Sequence, residues 1–187
     1  MELTRGLIEE KAEEYERAEP LVVRERDHLE AFPEAFSSGE YGWKDAEWVV
    51  RWYFRRYLGA YPDGRRREIE EAFAENDFAD VRDAIAAASA AADVEENVRT
   101  LTTLSGVDVD VASAFLQFME PESYVVVDDR AWGALRKAGE LDEPYPDPPS
   151  AAAYERYLTT CRELSERLDC SLRELHCALW RLGPSDD

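Results

Sequence analysis

The run LTTLSGVDVDVASAFLQFM, Leu101 to Met119, constrains the fold more than any other part of this 187-residue chain. Leu101, Leu104, Val107, Val111, Ala112 and Phe115 recur at helical spacing on both sides of one glycine, Gly106. The chain must turn sharply there, and glycine accepts the positive φ that a sharp turn demands. The apolar residues of the two arms then meet on one side. Ala112 is small enough to let two helices approach closely. The pattern predicts a helix–turn–helix unit with Leu104, Val107, Val111, Ala112, Phe115 and Leu116 buried. Backbone N–H groups at such a turn, where the next helix starts, can hold a phosphate.

Helical periodicity runs through the rest of the chain. Residues 3–18 read as a polar surface helix. A second segment opens at Pro20 and is expected to break at Pro33. SSGEYGW reads as a loop. KDAEWVVRWYFRRYLGAYP follows as a helix, with Asp45 as its expected N-cap and Gly59 as its stop. Residues 64–74, 79–92, 94–104 and 109–119 give further helices. DRAWGALRKAG is capped by Asp128 or Asp129 and ended by Gly139, and DEPYPDPPS is a proline-rich connector. Helices over 151–168 and 171–182 close the chain. In the last of these, Leu172, Leu175, Leu179 and Leu182 form one apolar stripe, with Trp180 off it. YVVVDD is the only strand-like run, and one short run makes no sheet. The expected fold is all-α, about ten helices in one domain over residues 1–187.

Two segments in succession resemble the helix-hairpin-helix DNA glycosylase superfamily. LSGVDVDVASAFL is similar to the hairpin signature Leu-Pro-Gly-Val-Gly-x-x-x-Ala. YVVVDDRAWGAL is similar to the segment that follows it, in which an apolar run leads to an aspartate at a helix start. The resemblance spans Val98 to Leu135, within an active-site-like region at 98–138. It implies a two-lobed helical architecture with a cleft between the lobes. It also implies base excision from DNA, the base being flipped into that cleft. The catalytic aspartate of the family falls on Asp128, where it would stabilise positive charge on the sugar or activate water. The hairpin around Gly106, Val107 and Asp108 would hold the DNA backbone, through a monovalent cation, with no other cofactor. The lysine of the family's bifunctional members is replaced by Asp110, so the implied enzyme is a monofunctional, water-using glycosylase. Asp108 stands where the signature has its second glycine, and Ser105 where it has proline. Asp108, Asp110 and the missing lysine favour the alternative, a non-catalytic helical module that binds nucleic acid or a protein partner.

Other residues fit either reading. Trp48 and Trp52 share a helix face; with Trp132 they are candidates for a base pocket. Arg65, Arg66 and Arg67 form the densest basic cluster and are candidates for phosphate contacts. Arg51 and Arg55 share another face of the same helix as Trp48. Against DNA stands a formal net charge of -20, from 42 acidic and 22 basic residues. The acids are spread along the chain and Lys occurs only at positions 11, 44 and 137, a style resembling the cytosolic proteins of salt-loving microbes. No apolar run is long enough to span a membrane, and the charged start carries no signal-peptide core, so a cytoplasmic location is expected. Cys161, Cys170 and Cys177 lack metal-site spacing and read as thiols in a reducing compartment. His28 and His176 lie far apart in sequence and read as structural or solvated histidines. No metal site is expected.

Overall fold

The structure, a computed structural model, describes residues 1–183 and is all-helical, with ten α-helices among those residues. They are α1 (Arg5–Ala18), α2 (Val22–Ser38), α3 (Trp43–Arg55), α4 (Asp63–Ala74), α5 (Phe78–Ala90), α6 (Val94–Leu101), α7 (Val109–Met119), α8 (Asp129–Ala138), α9 (Ala151–Leu168) and α10 (Leu172–Leu182). The expected domain over residues 1–187 thus extends four residues beyond the described ones.

α7 is the central element. Every residue from Asp110 to Met119 is buried, as a helix apolar on all sides requires. α2, α3, α6 and α9 pack around it. The hairpin forms as its spacing demands: α6 and α7 are joined through Gly106 at φ +72°, and all six expected apolar residues are buried. Gly106 has a second reason to be glycine. An added Cβ would lie 2.5 Å from the Ile69 carbonyl oxygen and 2.6 Å from the Phe73 amide nitrogen, so the turn rests directly on the α4 backbone. A smaller core of Ala12, Tyr15, Val22, Cys177 and Trp180 lies where α1 and α10 pack together.

Three local expectations change. α2 runs unbroken through Pro33, because Phe32 and Phe36 are both buried in the core and hold the helix across the missing N–H. The N-cap of α3 is Gly42. Asp45 sits at the third helical position and accepts from the Gly42 N–H at 2.8 Å. α3 stops at Arg55, ahead of Gly59.

Asp129 already belongs to α8, and YVVVD, residues 124–128, forms no strand among the described residues. Its buried backbone must therefore find side-chain partners, and it does. Val126 N–H donates to Gln117 Oε1 and Val127 N–H to Ser113 Oγ, each at 3.0 Å. The carbonyls of Val125, Val126 and Val127 accept from the hydroxyls of Tyr154, Tyr157 and Tyr53 at 3.1, 3.1 and 3.3 Å. This tyrosine ladder from α3 and α9 fixes the segment that delivers Asp128.

Candidate functional site

Asp128 is the N-cap of α8, which settles the alternative between it and Asp129. Its side chain is 0% exposed. Oδ1 accepts from the Ala131 N–H at 2.7 Å. Oδ2 lies 3.1 Å from Arg56 Nη1 and 2.9 Å from His176 Nε2. Burial pushes the carboxyl upward, but the Arg56 charge and the His176 contact outweigh it and hold it down at about 2. An ionised carboxylate only accepts, so the proton at this contact belongs to His176 Nε2. Both oxygens are therefore engaged by donors from three elements. Asp128 lines none of the cavities of about 570, 400, 300 and 280 Å³.

Arg56 is the residue that sequence reasoning passed over. Its guanidinium is enclosed by the rings of Trp180, Tyr53, Trp52 and Tyr57, at 4.6, 4.6, 4.9 and 5.5 Å from their centroids. Its Nε donates to the Tyr53 carbonyl. A signal was present. Arg56 follows Trp52 by four positions and so lies on the aromatic face of the chain, whereas Arg51 and Arg55 lie on the outer one. Arg51 pairs with Glu47 at 2.8 Å. His176 is buried on the inner face of α10, a structural histidine as expected.

The three tryptophans occupy two different places. Trp52 is buried, and Trp48 and Trp52 pack on Phe118 of α7, with Trp48 also stacked on His28. Trp132 is buried in another cluster, stacked on Tyr157 and in a T-shaped contact with Tyr145. Among the described residues no ring contact joins the two groups.

At the hairpin, Val107 is buried, and Asp108 turns back to cap α7, accepting from the Val111 N–H at 3.0 Å. One amide that could face a phosphate thus already serves a carboxylate. Two hairpin carbonyls each accept one hydrogen bond, that of Leu104 from the Val107 N–H and that of Ser105 from Asn76 Nδ2. Among the described residues no cluster of three or more His, Cys, Asp or Glu side chains is arranged to hold a metal ion.

Asp110 is buried behind the cap and accepts a hydrogen bond from the Tyr145 hydroxyl. Burial, then the nearby Asp108 charge, pushes its carboxyl up to about 8, although the Tyr145 bond acts the other way. Of the basic cluster, Arg65 is bidentate to Asp147 at 3.0 and 3.2 Å, and Arg66 bridges Asp63 and Glu70. Arg67 is exposed. The cluster is thus largely engaged with neighbouring acids. Cys161 and Cys177 are buried, Cys170 half-buried, and all three are free thiols. No helix among the described residues is long and apolar enough to cross a membrane.

No family model, no curated protein and no solved structure matches this chain.

Proposed function

We propose that this chain is a non-catalytic helical binding module, built on a frame resembling the helix-hairpin-helix glycosylases, in which Asp128 has a structural task. The observation that carries this reading is the state of that carboxylate: fully buried, with both oxygens taken by Ala131, Arg56 and His176. A carboxylate that steadies a cationic sugar must face the reacting atoms. This one faces an arginine already. The hairpin supports a cationic partner, such as a basic protein surface, over a bare duplex. Asp108 and Asp110 stand where a phosphate would approach, in a chain of net charge -20.

The alternative, monofunctional base excision with Asp128 as catalytic carboxylate, keeps one observation in its favour. Asp110 is held at about 8 and Asp128 at about 2, so two nearby carboxyls are pushed apart into an acid and a base form. One experiment separates the readings. Duplexes carrying modified bases are incubated with the protein at low and high salt, and strand breaks are read after alkali. No alkali-labile site should appear at either salt. Excision lost in Asp128→Asn, with that variant folded, would establish the glycosylase reading.

A further inference from the structure

The connector between α8 and α9 is attached in an unusual way. Leu141 and Pro149 are buried at its two ends. Between them Asp142, Glu143, Pro144, Asp147 and Pro148 are exposed, and Tyr145 is the side chain that reaches inward to a buried group. Among the described residues, the backbone from Leu141 to Pro149 makes no hydrogen bond to another backbone group. It is held instead by polar contacts that involve side chains. Tyr145 bonds Asp110, Asp147 pairs with Arg65, Glu143 pairs with Arg156 at 2.8 Å, and the Glu143 carbonyl accepts from Trp132 Nε1 at 2.9 Å. A cavity of about 300 Å³ lies beside it, bounded by Trp132, Leu141, Glu143 and Arg156 among others.

We propose that residues 142–148 form a releasable strap, hinged at the buried Leu141 and Pro149, whose Tyr145 latch keeps Asp110 and Trp132 covered. The geometry argues for release as a unit. Apolar anchors hold the ends, and exposed or water-replaceable polar latches hold the middle. Exposed ion pairs such as Arg65–Asp147 hold weakly, typically by less than about 1 kcal/mol each. Opening the strap breaks few apolar contacts, whereas opening α7 or α9 breaks the core. What it uncovers is the two groups that Tyr145 touches, the Asp110 carboxyl and the Trp132 indole, a surface that accepts a flat donor-bearing or cationic group. The Tyr145 phenol, with its ring against Trp132 and its hydroxyl on Asp110, is that group in the closed form.

The Trp132 indole N–H reports on the strap directly, since its acceptor is a strap carbonyl. Its hydrogen exchange is followed by NMR in the full chain, alongside core amides of α9 and α10. In the wild type it should exchange faster than the slowest core amides. In Tyr145→Phe it should exchange about tenfold faster still, the effect of one lost hydrogen bond. In Arg65→Ala, which removes the exposed ion pair with Asp147, it should accelerate by a smaller factor. The core amides should stay within about twofold of wild type in Arg65→Ala. Two results would overturn the proposal: a Trp132 indole proton that exchanges in step with the slowest core amides in the wild type, or no acceleration in either variant.

Discussion

Asp128→Asn is the substitution in which the structure departs most from what the sequence suggests. An asparagine at position 128 keeps a capping acceptor for α8, so the cap alone predicts that the fold survives. In the structure the amide also faces Arg56 and His176, and it leaves a guanidinium buried among four rings without its counter-charge. Two estimates bound the loss. The Asp128 carboxyl sits at about 2 against its usual 3.8, a gap worth about 2 kcal/mol in linkage terms. Breaking one partner of a buried pair typically costs about 3–5 kcal/mol. We expect about 3 kcal/mol, or a melting temperature lower by roughly 6–12 °C for a chain of this size. Differential scanning calorimetry at pH 7 reads it. The sign with pH follows from the lowered folded value. The stabilisation is present above about 3.8 and is lost as pH falls toward about 2, so wild type and variant should converge in acid. Adding Arg56→Met to the variant removes the uncompensated charge and places a flexible thioether among the rings, recovering part of the loss. A single variant within about 2 °C of wild type, or a double variant whose loss is the sum of the singles, would refute the ion-pair argument.

Gly106→Ala should destabilise by more than about 3 kcal/mol, since it combines a left-handed backbone with a Cβ driven into the α4 main chain; a thermal melt followed by circular dichroism checks it, and a loss under about 1 kcal/mol would contradict the close approach. Asp110→Asn should stabilise. With the folded value raised from 3.8 to about 8, wild-type stability falls as pH rises from about 4 to about 8 and then levels off. Urea unfolding at pH 5 and pH 8 should show a variant whose advantage grows by a few kcal/mol over that interval, and equal pH slopes for the two proteins would count against the buried-acid account.

The helical pattern and the hairpin were legible because both are local. Apolar spacing marked Leu172, Leu175 and Leu179 of α10 as inward, although it put the equally buried Trp180 off the stripe and the half-buried Leu182 on it, and Gly106 marked the reversal. The cap at Asp128 was legible as one of two adjacent acids. Its partners were not. Arg56 and His176 lie 72 and 48 positions away, and nothing in the spacing of either ties it to α8. The extended run was legible as strand-like, from its valines, but its true partners are three tyrosines and two α7 side chains. Local propensity records that valine prefers an extended backbone; it does not record which hydroxyls satisfy the carbonyls. The Pro33 break failed for the converse reason. A local rule against proline was overridden by Phe32 and Phe36, whose burial depends on the rest of the fold.

Asp110 and Asp128 show how far tertiary context divides residues that look alike in sequence. Each is an acid at the start of a helix in the hairpin region, and each is buried. Asp128 meets a guanidinium, an imidazole and a backbone amide, so its charge is fully served. Asp110 meets one phenol and lies near Asp108, Asp128 and Asp147, all of like charge. The first therefore ties α3, α8 and α10 into one rigid unit, since moving any of them strands a charge. The second leaves a poorly served carboxyl whose one hydrogen-bond donor, Tyr145, sits on a segment with no backbone-to-backbone hydrogen bonds among the described residues. If any part of this fold opens before the core does, the physics of these two carboxyls puts the opening at the connector over Asp110 and away from α8.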